Sequence, residues 1–332
     1  MAAGETVLSR TYGPLLSTTL DKVLKSGSME DNVFDDDPFT RYLRSGERIK
    51  VVDGGERIRM GIMHKSNSTA KWYDGLDPLD VTPQRGFTTA FFNWHQGSVS
   101  IVVSGKELKL NRGQARIANL QEEKIMQAKE SLVDLVINGV YSDGTGSGSL
   151  QMTGVLGMIA TDPTTNTTYA EINQSTNDKW RNQVVTAVGP AASNLLPKMR
   201  AVFNDCKQGR GGAGSKPDFA VTTQLVHEDL EALIYSNVRY APNPRSGADA
   251  GVETLLFKQA AIEWSDFCQT GVMYVLNSKH IIFFIHTDAN FGMAEGGFQK
   301  PTNQDGLVTQ VFVMGNLATN NRRKLGKLTG IT

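Results

Sequence analysis

Residues 94–148, WHQGSVSIVVSGKELKLNRGQARIANLQEEKIMQAKESLVDLVINGVYSDGTGSG, decide how the chain folds. The opening of the stretch, with FTTAFFN before it, reads as strand. The spacing then predicts a helix over 111–141. Asn111 is placed to cap it, with Gln114 three positions on in the manner of a capping box. Ile117, Leu120, Ile125, Ala128, Leu132, Leu135, Val136 and Val140 keep near-helical spacing, while Glu122, Glu123, Lys124, Lys129 and Glu130 fall on other faces. Ser142-Asp143-Gly144 is a stop signal. A helix of roughly 28 residues within this stretch spans about 42 Å at 1.5 Å per residue. One apolar stripe on so long an element describes a structural strut. The glycines of DGTGSGS at 143–149 read as a flexible hinge behind it.

Upstream, residues 47–105 read as a long two-stranded excursion. Ile58, Met60 and Ile62 alternate with Arg57 and Arg59, and Asp53-Gly54-Gly55 is a hairpin turn signal. A polar loop, HKSNSTAKWYDGLDPLDVTPQRG (64–86), carries Trp72, Tyr73 and Leu76. An isolated two-stranded ribbon is marginal in water, so it must lie against a neighbour, in the same chain or another. Aromatic residues on a polar loop suggest a protein contact. Residues 1–46 join a helix-compatible LLSTTLDKVLKSG (15–27) to an acidic DNVFDDDPFTRYL (31–43). They show no core of their own and read as an arm lying on something else.

Downstream come a helix over 193–207, with Leu195, Leu196, Met199, Val202, Phe203 and Cys206 on one face, and a buried strand, DFAVT (218–222). A helix over 224–236 capped by Thr223 follows, then a Pro/Gly-rich loop (240–251) and strands between 255 and 287. The strand GLVTQVFVMGNLAT (306–319) leads into the basic NNRRKLGKLTGI. There the basic cluster Arg322, Arg323, Lys324 and Lys327 offers a contact to nucleic acid, but reads first as a solvated strand end or a subunit salt bridge.

The 332 residues suggest about two domains at roughly 150 residues each. Lys plus Arg and Asp plus Glu both number 34, and zero net charge argues against specific DNA binding as the main task. Cys206 and Cys268 are too few for a disulfide framework or a four-ligand zinc site and read as reduced thiols. No apolar run reaches the ~18 residues of a membrane span, and MAAGETVLSRTYG lacks a secretory pattern. The protein is therefore expected to be made and kept in the cytoplasm unless something larger carries it out. QGRGGAGSK (208–216) ends Gly-Ser-Lys where a P-loop needs Gly-Lys-Ser/Thr, and Pro217 and a strand follow where a helix should. The five histidines form no metal-binding spacing, and no Ser sits in a nucleophile elbow. The chain is not expected to be an enzyme; no catalytic, cofactor or metal residue is assigned.

The order of the strand WHQGSVSIVVSG, the long helix and YSDGTGSG resembles the core signature of tailed-bacteriophage major capsid proteins, a family sharing its fold with encapsulins. GVMYVLNSKHIIFFIH (271–286) and FQKPTNQDGLVTQVFVMGNLATNNRRKLGKLTGI (298–331) are similar to the same family. The resemblance covers nearly all of residues 40–332. It implies an α+β fold: an N-terminal arm at 1–46, an extended β-hairpin loop at 47–105 lying over an adjacent subunit, and a peripheral domain at 106–144 and 305–332 with its spine helix at 111–141. Residues 145–304 would form the axial α/β domain around a hexamer or pentamer centre.

The function so implied is a structural virion protein. It would self-assemble into an icosahedral capsid around double-stranded DNA and mature from a prohead built in the host cytoplasm. The implied partners are its own copies, a portal protein, a separate scaffolding protein (the chain shows no long coiled-coil prefix) and DNA touched non-specifically, with no membrane. Contacts between subunits are expected at Lys65, Lys71, Trp72, Tyr73, Leu76, Arg322 and Arg323. Some family members crosslink a loop Lys to an Asn of a neighbour. Lys65 and Lys71 are the lysines near the loop tip, but no matching Asn or Glu is identified and the chemistry is not carried over. The alternatives are an encapsulin-like compartment or an α/β enzyme.

Overall fold

The computed structural model describes residues 37–63, 65–110, 114–165, 168–207, 216–237, 255–294 and 297–332. The helix expected near 15–24, the Asn111 cap, nearly all of QGRGGAGSK and the loop at 240–251 lie outside them. Along the chain come α1 (Pro38–Ser45), β1 (Ile49–Val52), β2 (Ile58–Met63), β3 (Phe87–Phe92), β4 (His95–Ser104), α2 (Gly105–Leu110) and α3 (Gln114–Tyr141). Then follow β5 (Thr168–Tyr169), β6 (Ile172–Asn173), β7 (Gln183–Val185), α4 (Ala191–Lys207), β8 (Phe219–Thr222) and α5 (Gln224–Asn237). The last elements are β9 (Leu255–Phe257), β10 (Ala260–Trp264), β11 (Val272–Leu276), β12 (Ile281–His286), β13 (Gly292–Met293), β14 (Gly306–Thr319) and β15 (Gly326–Thr329). The fold is α+β and divides into two compact units. The first takes the chain up to Gly54, Trp94–Gly154 and Phe283–Leu317; the second takes Gly55–Asn93, Val155–Ile282 and Ala318–Thr332. Residues 145–154 and 283–304 thus join the strut's unit, and 318–332 leave it, unlike the division expected from the sequence.

In the first unit α3 runs along a five-stranded sheet of order β1-β12-β14-β13, with β4 on β14. Its stripe of Ile125, Ala128, Leu132, Val136 and Val140 is buried. β4 and β14 pair antiparallel from Gly306↔Ser104 to Gly315↔His95. At the end of β4, Ser104 and Glu107 cap each other reciprocally: Ser104 N donates to Glu107 Oε2 (3.0 Å) and Glu107 N to Ser104 Oγ (3.2 Å). Lys124 reaches from α3 to Glu107 Oε2 and to the Val102 carbonyl, both at 2.8 Å. That hydrogen bond holds the Glu107 carboxyl down at about 2. Within the arm, Asp37 caps α1 through Phe39 N (3.0 Å) and Thr40 N (3.2 Å), and its carboxylate also accepts from Tyr141 Oη of α3 (3.1 Å). Phe39, Thr40 and Leu43 are buried, so residues 37–46 pack on their own chain.

Two local signals are overridden here. Asp53-Gly54-Gly55 does not fold β1 back on β2, because β1 lies parallel to the apolar β12 (Ile49↔Phe283). Gly54 and Gly55, at φ 123° and 111°, instead carry the chain from one unit into the other. The stretch behind α3 is a tight fold-back in place of an open hinge. Ser142 Oγ donates to the Met152 carbonyl (2.6 Å), and Gly154 lies so close to α3 that a Cβ would fall on the Val140 carbonyl oxygen.

The second unit is built on a six-stranded sheet of order β7-β15-β11-β8-β10-β9. Leu195, Met199, Val202, Phe203 and Cys206 of α4 and Val226 and Leu230 of α5 pack against Ala220, Ile262, Met273, Val275 and Leu328. β8 and β11 are buried throughout, as continuous apolar runs demand. Thr223 precedes α5 and its carbonyl accepts from His227 N (3.0 Å), but its buried hydroxyl makes no hydrogen bond. The expected side-chain cap is absent. The basic tail is not a solvated end: β15 lies between β7 and β11, and Arg322, Lys324 and Lys327 are buried. The interleaved Leu325, Leu328 and Ile331 draw it in, and Gly326 is the only residue type that fits against Val202 and Cys206 of α4.

Candidate functional site

The excursion within 47–105 resolves into a ribbon with two different ends. Only β2 and β3 pair, from Ile58↔Phe92 to Met63↔Phe87. Ile58, Ile62, Ala90 and Phe92 form its buried face. The base rests on the β5–β6 hairpin of the same unit. Phe91 N donates to the Ala170 carbonyl (3.3 Å), the Phe92 ring stands edge-on to Tyr169 at 5.7 Å, and Arg57 pairs with Glu171. Beyond the paired strands, at the start of the loop, Lys179 Nζ donates to Ser66 Oγ at 2.8 Å. The sequence left open which chain supports the ribbon; its base is supported by its own.

The rest of the tip is irregular and held by bonds within the loop. Asn67 Oδ1 accepts from Thr69 N (2.9 Å) and Oγ1 (2.6 Å), and Asp80 Oδ1 accepts likewise from Thr82. These bonds from Thr82 hold the Asp80 carboxyl below its usual range. Lys71 Nζ donates to the Pro78 carbonyl (2.6 Å), and Lys65 N to the Gly86 carbonyl (3.4 Å). Trp72 and Leu76 are each 102% exposed, and Tyr73 is 61% exposed. Met63, Leu79, Val81 and Phe87 are exposed as well. Sequence reasoning missed these four. For Met63 the signal was present: it stands out of phase with Ile58, Met60 and Ile62, so a pleated strand points it away from the buried face.

The seven expected contact residues are not gathered at one place. Lys65, Lys71, Trp72, Tyr73 and Leu76 share the tip, with both lysines exposed. Arg322 lies inside the second unit, where its Nε donates to the Met158 carbonyl (2.7 Å), Nη1 to Gln174 Oε1 (3.1 Å) and Nη2 to Asn182 Oδ1 (3.2 Å). Its guanidinium carbon stands 4.7 Å over the Tyr169 ring. Burial pushes its pKa down to about 10, which leaves it cationic at neutral pH. An outward contact was expected of Arg322, but burial removes it from the surface. Arg323 is half-buried, with its Nε unpartnered.

The first unit carries an apolar groove of about 490 Å³ lined by His95, Leu135, Leu150, Met152, Phe283 and Val313. Among the described residues no group of His, Cys, Asp or Glu is placed to hold a metal, and no helix is long and apolar enough to cross a membrane. Both thiols are free and buried, and burial pushes that of Cys206 up.

A strut helix on one mixed sheet, a second unit of helices on a six-stranded sheet, and a ribbon with an exposed tip define the fold of capsid-type shell proteins. No protein-family model matches the sequence, and no curated protein does. Solved structures match over most of their length. The cyanophage A-1(L) capsid asymmetric unit superposes with a TM-score of 0.59 at 12% identity, covering 85% of this chain and 90% of that one. The capsid of the native GTA particle gives 0.55 at 9% identity, with 87% and 90% covered. The holo-SrpI encapsulin complex from Synechococcus elongatus PCC 7942 gives 0.52 at 10% identity, with 88% and 87% covered. At these identities the likeness is one of fold, the fold that phage capsid proteins share with encapsulins.

Proposed function

We propose that the protein is a self-assembling shell subunit, the major capsid protein of a tailed bacteriophage. The observation that carries this reading is the ribbon tip. A soluble subunit gains nothing by holding Trp72, Tyr73 and Leu76 in water on a folded ribbon, whereas a partner surface covers them. A buried aromatic contributes roughly 150–250 Å², so the apolar side chains of 63–87 together approach the ~800 Å² per partner of a standard interface. The partner is a second copy of this chain, with Lys65 and Lys71 at the rim. Repeated around hexamers and pentamers, this contact closes an icosahedral shell. The fold likeness supports that reading, and the zero net charge suits a container that must pack and release double-stranded DNA. In the same reading a scaffolding protein guides assembly, a portal protein occupies one vertex, and the chain does no chemistry of its own.

The test is electron microscopy of the expressed chain, alone and with its scaffold, beside a variant in which Lys65–Gly86 is replaced by Asn-Gly. The expected result is a soluble, folded subunit that no longer closes shells. Normal particles from the deletion would overturn the assignment. The encapsulin match keeps an enzyme-loaded compartment as the second reading. Packaged DNA in purified particles supports the capsid, and a co-purified enzyme supports the compartment.

A further inference from the structure

Arg322 is a fully buried cation whose hydrogen-bond acceptors are all neutral oxygens. They come from three points of residues 155–182, where the paired strands among the described residues are the two-residue β5 and β6. Met158 ends a helical turn, Gln174 follows β6 and Asn182 precedes β7. Asn182 is itself bonded both ways to Ala160, accepting from its N (3.1 Å) and donating to its carbonyl (2.8 Å). Gln174 Nε2 donates to the Asp162 carbonyl (3.1 Å). The stretch is thus wrapped around one guanidinium.

The ribbon stands on this stretch. Tyr169 receives the Arg322 guanidinium and Phe92 of β3, and Trp180 stacks on it with ring centroids 6.3 Å apart. The turn between β5 and β6 sets Ala170 and Glu171 at φ 54° and 64°. Neither is a glycine, so the turn is strained and persists only where its surroundings over-determine it. Ala170 and Glu171 are the residues that bind the ribbon's Phe91 N and Arg57.

We propose that Arg322 is the positioning residue of the ribbon: it organises the 158–182 platform and, through Tyr169, fixes Phe92 and hence the place at which the tip is presented. Only the consequence for assembly rests on the shell reading. A guanidinium is required because three separated acceptors and a ring face must be met at once; an ammonium offers a point charge without that planar fork.

Hydrogen exchange of the full chain tests this. In Arg322→Met, amides of 58–63 and 87–92 are expected to exchange at least about tenfold faster while those of β8 and β11 stay within about twofold, since local openings are separable from global unfolding. Arg322→Lys is expected to behave like Arg322→Met. In a Phe92→Ala background the further effect of Arg322→Met should nearly vanish, because contacts in series are non-additive. If Arg322→Met does not fold, Tyr169→Leu, which keeps the charge and the three hydrogen bonds, reads the same ratio. Equal acceleration of ribbon and sheet, no change in either, or rescue by Lys overturns the proposal. If the ribbon loosens as expected but shells still close normally, the shell role of the ribbon fails and the positioning role stands.

Discussion

The two ends of one ribbon obey opposite rules. At the base Phe92 is 4% exposed and the contacts lie far along the chain: Phe91 N meets the Ala170 carbonyl, and Arg57 meets Glu171, more than a hundred residues away. At the tip Trp72 and Leu76 are fully exposed, and past Ser66, which Lys179 holds at the start of the loop, the bonds that shape it join residues close in sequence, such as Asp80 to Thr82 and Lys71 to Pro78. The base is ordered by burial within its own unit. The tip is shaped by short-range turns that need no core, so it keeps its form while its apolar side chains stay uncovered. One segment thus separates folding, which the base serves, from association, which the tip is free to serve.

The largest effect that sharpens this contrast is the pair Phe92→Ala and Trp72→Ala. Phe92→Ala removes a buried ring packed on Tyr169 and is expected to cost about 3–4 kcal/mol. Trp72→Ala removes a larger ring that touches little, so subunit stability should stay within about 0.5 kcal/mol while shell closure is lost. Denaturant unfolding of dispersed subunits measures the first quantity and particle counts the second. Comparable stability losses at the two sites would break the distinction between base and tip.

A second effect contrasts lysines. Lys65 and Lys71 are exposed at the tip, whereas Lys327 is buried in β15 opposite Tyr274 of β11, and burial pushes its pKa down to about 8. Below pH 8 the amine is charged in both folded and unfolded chains, and the cost of burying it is fully present. Between pH 8 and about 10.5 the unfolded chain still binds the proton while the folded one releases it, so stability rises with pH. Lys327→Met is therefore expected to raise stability at pH 7 by on the order of 1–2 kcal/mol, a figure discounted for partial solvation of the amine. The gain should fade by pH 10.5 in thermal unfolding.

These cases also mark what was legible in the sequence. The strut, β8, β11 and β14 announce themselves because period and apolar run length are properties of the segment itself. So do Trp72, Tyr73 and Leu76, as aromatic and apolar residues on a polar loop. Asp53-Gly54-Gly55 misled because turn chemistry is permissive, and the edge of β12, more than two hundred residues on, decided where β1 went. The tail misled because its charges outnumber its leucines, while burial is set by the gap between β7 and β11. For Arg322 no local pattern existed, since Met158, Gln174 and Asn182 are brought to it only by the fold.

The smallest expected effect bears on what holds the base. Arg57 and Glu171 pair at its margin, with side chains 41% and 55% exposed. Such a pair sits in high dielectric, is screened by salt, and orders two long side chains to little net gain. Glu171→Gln keeps the strained turn and its backbone bond to Phe91 while removing the charge. It is expected to cost no more than about 0.5 kcal/mol, falling toward zero at 1 M salt, with ribbon exchange unchanged. A loss approaching that of Phe92→Ala, relieved by no other change at the base, would mean that charge and not burial seats the ribbon. In that case raising the salt alone should free the ribbon in the wild-type chain, whereas burial predicts that salt leaves it in place.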